Sequence, residues 1–208
     1  MSIDDGLVVA TITTSLDGFV AGPNQSLEDP LGERGEELHE WLFSATEPAS
    51  ADVTGEILGG AAVIQGRNMF GPIRGEWPDD AWKGWWGDDP PYHAPVFVLT
   101  HHPREPVEML GGTTFHFVTG GIEAALERAR AVAGGGRISV AGGASTIRQF
   151  LTAGLLDRLI LSIAPITLGA GERLFDGVEL GGESGIRLTP VQVFENAAAT
   201  HVVYDVGR

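Results

Sequence analysis

Three apolar, β-branched stretches of this 208-residue chain each break off at a glycine turn, and that pattern constrains the fold more than any other feature. Residues 7–14 (LVVATITT) run into Ser15-Leu16-Asp17-Gly18, residues 61–65 (AAVIQ) into Gly66, and residues 137–141 (RISVA) into Gly142-Gly143. Such runs read as strands buried on at least one face, and the turn residues mark their ends. Helical patterns lie between them. Residues 33–45 set Leu38, Trp41, Leu42 and Ala45 on one stripe, with Glu36, Glu37 and Glu40 largely off it. Residues 122–133 bring Ile122, Ala125, Leu126, Ala129, Val132 and Ala133 to one face and stop at Gly134-Gly135-Gly136. A short helix is expected at 51–58 behind a cap at Ser50, and another at 144–153. Further strands are expected at 95–99, 114–118 and 158–164, with a long antiparallel pair at 186–194 and 200–206. Alternation early and consecutive strands late predict a single α/β domain over residues 1–208, its mixed sheet of about eight strands flanked by about four helices.

Composition removes whole classes of chemistry. With 43% hydrophobic and 20% charged residues the chain has enough apolar surface to fold. There is no cysteine, so disulfides, thiolate nucleophiles and Cys-ligated metals are excluded. Acidic residues number 28 against 13 Lys and Arg, a balance that repels nucleic acid and anionic lipid, and neither is expected as a partner. Lys83 is the sole lysine and sits in no phosphate-binding motif. No apolar run is long enough to span a bilayer and the first residues lack the pattern of a signal peptide, so a cytoplasmic protein is expected.

The chemistry that remains gathers at strand ends. A buried strand entering Gly142-Gly143 and then the helix from Ala144 can bring a ligand against bare backbone and offer unpaired N–H groups to a phosphate. The same junction also serves as a plain tight connection. Gly66-Arg67-Asn68-Met69 adds a guanidinium at a second strand end, where only 5 basic residues stand against 17 acidic ones in the first 104. Leu99-Thr100-His101-His102 gives a third strand end; adjacent strand residues point to opposite faces, so the two imidazoles do not converge on a metal and no metal is expected.

These segments, with Thr14-Ser15-Leu16-Asp17-Gly18-Phe19-Val20-Ala21 before them and Pro165-Ile166-Thr167-Leu168-Gly169-Ala170-Gly171 with Leu174-Phe175 after them, lie in one order from residue 7 to the C-terminus. In that order they resemble the dihydrofolate reductase superfamily. Within it they resemble the reductase half of the bacterial riboflavin-synthesis deaminase-reductase, the RibD C-terminal domain, and small reductase-like proteins related to it. The resemblance implies a dihydrofolate reductase-like fold and NADPH bound across the carboxyl ends of the strands. Gly142, Gly143, Ala144, Ser145 and Thr146 would then hold the pyrophosphate, and Arg67, Thr100 and His101 would surround the adenosine 2′-phosphate, with Gly66, Asn68 and Met69 beside them. Thr13 and Val20 would meet the nicotinamide through their backbones, and the Gly142–Gly143 peptide would be cis. Also implied are a homodimer and reduction of a small heteroaromatic or carbonyl-bearing substrate, pterin-, pyrimidine- or flavin-precursor-like. A nucleotide-, flavin- or drug-binding protein without turnover on the same fold is the alternative.

Departures from the resemblance fall on the substrate side. The first helix offers Glu36, Glu37, His39 and Glu40 with no single match to the superfamily's pterin-binding carboxylate, and no segment matches a zinc deaminase half. Residues 71–94 carry Trp77, Trp82, Trp85 and Trp86 among prolines and acids, a structured excursion without counterpart in either well-known branch. These indoles either cover the sheet or bury a dimer contact, or they line a substrate slot closing over the nicotinamide, which would place Trp85 and Trp86 with His39 against the substrate. Val191, Val193, Val202 and Tyr204 exceed what a free strand edge tolerates, the second motive for expecting a homodimer.

Overall fold

A computed structural model describes residues 6–26, 28–43, 55, 59–71, 74–183, 185–196 and 198–207. In chain order the strands are β1 (Val8–Ser15), β2 (Phe19–Ala21), β3 (Ala62–Gly66), β4 (Pro95–Leu99), β5 (Val107–Glu108), β6 (Thr114–Val118), β7 (Ile138–Val140), β8 (Arg158–Ala164), β9 (Glu172–Arg173), β10 (Arg187–Asn196) and β11 (Ala199–Gly207). The helices among the described residues are α1 (Glu40–Phe43), α2 (Arg67–Phe70), α3 (Gly121–Ala133) and α4 (Ala144–Thr152), and a 3-10 turn at Gly35–His39 feeds α1. One sheet of nine strands runs β10-β11-β8-β1-β7-β3-β4-β6-β5, while β2 pairs with β9 apart from it. The six strands from β8 to β6 are parallel, and β11, β10 and β5 join antiparallel at the two edges. No helix of the described residues is long and apolar enough to cross a membrane.

Central strands are apolar on both sides because both sides are covered. Val8 and Ala10 of β1, Ala62 and Ile64 of β3, Phe97 of β4 and Val140 of β7 pack on α3 and α4 through Ile122, Leu126, Ile147 and Phe150. Their neighbours in sequence point to the other face. There Val63, Val96, Val98, Phe115 and Phe117 meet Phe70, Tyr92, Trp77 and Trp82, while Val9, Ile160 and Val203 meet Trp41. Helix α3 ends at Gly134 with φ 58, the left-handed closure expected of a glycine stop.

The strands expected at 95–99, 114–118 and 158–164 occur with those bounds, and the one at 137–141 is trimmed to Ile138–Val140. The helix expected at 33–45 is corrected. Arg34 sits at φ 61 and Gly35 packs so closely that a Cβ there would lie 2.8 Å from Leu31 Cβ, so the segment starts as a tight 3-10 turn and turns α-helical only at Glu40. Its apolar stripe survives, with Leu38 and Trp41 buried. The helix expected at 51–58 lies, Gly55 apart, outside the described residues. The short elements β2, α2, β5 and β9 have two to four residues each, too few to show a period.

Two local contacts fix the strand ends. Where β1 turns into β2, the Asp17 carboxylate accepts from the Ser15 hydroxyl at 2.6 Å and from the amides of Leu168 at 3.1 Å and Gly169 at 2.7 Å. Those donors, the Ser15 hydroxyl first, lower its pKa from 3.8 to about 2 against some desolvation. Between β3 and β7, the Gly66 amide donates to the Gly142 carbonyl at 2.7 Å, and a Cβ at Gly66 would stand 2.6 Å from Thr146 Oγ1 on α4. Only glycine lets the strand end lie against that helix.

A carboxyl whose folded pKa is depressed stabilises the fold above its unfolded pKa and loses that contribution as pH falls. Asp17→Asn is therefore expected to weaken the fold at neutral pH and to flatten the loss of stability between about pH 4 and pH 2, measured as urea midpoints. Wild-type and variant curves running parallel through that interval would contradict the clamp. Gly66→Ala is expected to cost about 1–3 kcal/mol by overpacking, and Thr146→Ala in the same chain to recover part of it. A double-mutant cycle that is additive within about 0.5 kcal/mol would show the contact to be unimportant.

Candidate active site

Because the six central strands are parallel, their carboxyl ends and the loops leaving them share one side of the sheet, where α/β folds bind ligands. A cleft of about 840 Å³ opens there. The residues assigned to cofactor and substrate line it: Thr13 and Val20, Gly66 with Arg67, Asn68 and Met69, Thr100 and His101, Gly142 to Thr146, and His39, Trp85 and Trp86; Trp77, Trp82, Glu36, Glu37 and Glu40 are not among the lining residues. Sequence reasoning passed over Thr11, Trp41, Leu42, Tyr92, Arg74 and Thr119. Two of these carried a signal. Thr11 is two residues from Thr13 and so on the same strand face, and Thr119 follows the end of β6 as Thr100 follows β4.

One end of the cleft combines bare backbone with a buried guanidinium. Gly142 has φ +104, a Cβ on Gly143 would meet nothing within 4 Å, and no side chain caps the first turn of α4. The backbone there lies bare to the cleft, with the positive end of a nine-residue helix behind it. The Gly142–Gly143 peptide is cis. Across from it the Arg67 guanidinium lies 3.7 Å above the centroid of the Trp77 indole and donates through Nη1 to the Gly75 carbonyl. Its Nε and Nη2 are buried without a hydrogen-bond partner. Burial first, with Arg74 and Arg104 adding to it and Glu76 opposing, pulls the Arg67 pKa below the usual arginine range. Trp77 is held in turn: its Nε1 donates to the His102 carbonyl at 2.9 Å, and Arg104 lies 5.0 Å from its ring. Arg104 has a side chain only 2% exposed and pairs with Asp80 at 3.2 Å. Thr100 Oγ1 accepts from the His102 amide at 3.1 Å, His101 is exposed, and His102 Nδ1 lies 3.1 Å from Glu76 Oε1.

The other end is aromatic. Thr11 and Thr13 share the sheet face that carries Val9, with His39, Trp41 and Leu42 on one side and Trp85, Trp86 and Tyr92 on the other. The Tyr92 hydroxyl donates to Gln65 Oε1 at 3.2 Å and accepts from Trp86 Nε1 at 3.2 Å; burial raises its pKa. Burial lowers the His39 pKa, and His39 Nδ1 and Trp41 Nε1 are buried without a hydrogen-bond partner.

The tryptophans divide between two places, the core and the cleft. Trp77 and Trp82 pack on the core beside Phe70, to whose carbonyl Trp82 Nε1 donates at 2.9 Å. Trp85 and Trp86 stand at the mouth of the cleft, 38% and 36% exposed. The surplus expected at the C-terminal edge is corrected. Val191 and Val193 are exposed on the edge strand β10, whereas Val202 and Tyr204 lie half-buried on β11, an interior strand between β10 and β8.

Known proteins share this architecture. A structure described as a riboflavin biosynthesis protein from Shewanella sp. PV-4 superposes over 97% of this chain and 99% of its own, with a TM-score of 0.64 at 23% identity. A pyrimidine reductase-like protein from Corynebacterium diphtheriae covers 99% and 94% with a TM-score of 0.54 at 18% identity. A diaminohydroxyphosphoribosylaminopyrimidine deaminase/5-amino-6-(5-phosphoribosylamino)uracil reductase from Thermotoga maritima gives a TM-score of 0.57 at 14% identity. The match there spans 96% of this chain and 56% of the larger enzyme. At such identities these likenesses establish the fold. Among curated sequences, the uncharacterized protein YwjB of Bacillus subtilis is 35% identical over 69 residues, 33% of this chain and 38% of that protein. The RibD C-terminal domain model matches residues 7–202, from the start of β1 into β11, and the chain belongs to that family.

Proposed function

We propose that this protein is an NADPH-dependent oxidoreductase that reduces a small heteroaromatic or carbonyl-bearing compound. The observation that carries the reading is Arg67: a guanidinium braced on an indole, with two buried nitrogens that have no partner in the protein. Burying such donors unpaired is costly, and a phosphate accepts from two of them at once. The bare backbone at Gly142-Gly143 and the uncapped helix behind it fit the pyrophosphate of the same cofactor.

On this reading the first-turn amides of Ala144 and Ser145, with Gly142, Gly143 and Thr146, hold the pyrophosphate. Arg67 takes the 2′-phosphate between Thr100 and His101, with Gly66, Asn68 and Met69 shaping the approach. The backbones of Thr13 and Val20 orient the nicotinamide at the start of the aromatic end. NADPH supplies the hydride when bound. Around it, Trp85 and Trp86 screen the ring from water, and His39 and Tyr92 offer hydrogen bonds to the substrate. The same reading has the chain work as a homodimer joined along β10, where Val191 and Val193 are 49% and 63% exposed.

Calorimetric titration tests it. NADPH is expected to bind at least about tenfold more tightly than NADH, since a buried charged contact made to only one of them is worth 1.5–3 kcal/mol. Arg67→Ala removes the difference, and Trp77→Ala narrows it by releasing the guanidinium while NADH affinity holds. Equal affinities of the unmodified protein for the two dinucleotides would overturn the assignment of Arg67.

A further inference from the structure

We propose that the compound bound at the aromatic end is an uncharged heteroaromatic that carries no phosphate. This rests on the reading that the Arg67 end takes NADPH, and it follows from where the chain places its charges.

A phosphate in a protein cleft is held by cations or by a row of free amides. Among the described residues two Lys or Arg side chains line the cleft, Arg67 and Arg74, and both lie at the end that also carries Gly75 and Thr100. The other cations are engaged or distant. Arg104 is sealed against aromatic rings, and Arg34 grips Glu37 at 2.7 Å. Arg148 and Arg173 donate to the carbonyls of Arg173 and Asp17. Arg137, Arg158 and Arg187 sit at the amino ends of the parallel strands, opposite the cleft: the first precedes β7, the second opens β8, and the third pairs with Gly207. Arg128 and Arg130 lie in the last three turns of α3, which runs away from the cleft after Gly121 and Ile122. Outside the described residues the chain carries one cation, the C-terminal Arg208. Only Lys83, exposed between Trp82 and Trp85, stands near the mouth, and it is not among the lining residues.

Negative charge is equally scarce. Among the described residues the lining carboxylate is Glu172, 3.5 Å from Arg148. What faces the aromatic end is neutral: the Thr11 and Thr13 hydroxyls, the Tyr92 phenol, and the unpartnered Trp41 Nε1 and His39 Nδ1. Burial holds His39 toward its neutral form, so protonation does not supply the missing cation at neutral pH. A flat ring with nitrogen and carbonyl groups at its edge satisfies all of this, its faces against the indoles and its edge toward the two unpaired nitrogens. The Thermotoga relative, by contrast, is named for a phosphoribosylamino substrate.

Two matched pairs test the inference: riboflavin with flavin mononucleotide, and 5-amino-6-(ribosylamino)uracil with its 5-phosphate. NADP⁺ is titrated first, and failure of NADP⁺ to bind overturns the cofactor reading. With NADP⁺ saturating, each compound is then titrated by quenching of tryptophan fluorescence and by calorimetry. The expected result is that an uncharged member binds and its phosphate binds at least tenfold more weakly. Trp86→Ala is expected to weaken the uncharged member about tenfold, well beyond any loss in NADP⁺ affinity measured on the same variant. A phosphorylated member binding as tightly as its partner or more tightly would overturn the substrate class alone, as would loss of such tight binding in Lys83→Ala, which would reveal a phosphate site. Absence of binding by both uncharged members to the NADP⁺-loaded protein would overturn it too.

Discussion

The rest of the structure depends on a backbone contact without side chains, the Gly66 amide donating to the Gly142 carbonyl at 2.7 Å where β3 and β7 end side by side. Each partner is glycine for its own reason. A methyl at Gly66 would collide with Thr146 on α4, and Gly142 sits at φ +104, which other residues rarely adopt. With both in place the helix can begin directly at the strand ends, its first turn open to the cleft. The parallel sheet then brings the ends of β1, β4 and β6 to the same side, and a ligand meets five strand ends at once.

Electrostatics gives this side of the molecule a direction. A chain with formal charge −15 keeps a positive corner by stacking Arg67 on Trp77 and enclosing Arg104 with Phe70, Trp77 and Phe117. The indole does two tasks. It covers the apolar face of β4 and β6 as a core residue and leaves the Arg67 guanidinium one orientation, which an arginine on an open surface would not have. From that corner the cleft runs to an end walled by Trp41, Trp85, Trp86 and Tyr92, so its charged and aromatic parts are separated along one groove.

Strands buried on both faces were legible in the sequence because β-branched and aliphatic residues dominate them, and the glycines that end β3 and β7 were legible with them. Those two signals together located the cleft residues at the ends of β3 and β7, whereas Thr119 at the end of β6 was passed over. Whatever depends on contacts between distant segments was hidden. The 35–43 segment carries a helical stripe, yet the packing of Gly35 on Leu31 winds its first half into a 3-10 turn. Trp77 and Trp85 look alike in sequence, and only the position of Phe70, Phe115 and Phe117 decides that the first becomes core and the second cleft wall. Tyr92 gave no signal at all, because its role is set by Gln65 and Trp86. The apolar C-terminal pair reads as two edge strands until β8 is found paired with β11.

The most direct test of a cofactor cleft built on these strand ends is a crystal structure of the protein grown with NADP⁺. The pyrophosphate is expected within hydrogen-bond reach of the first-turn amides of α4, the 2′-phosphate on Arg67 Nε and Nη2, and the nicotinamide beside Thr13 and Val20 facing the Trp85–Trp86 wall. A dinucleotide whose 2′-phosphate lies away from Arg67, or whose nicotinamide lies outside the space between Thr13 and Trp86, would contradict it.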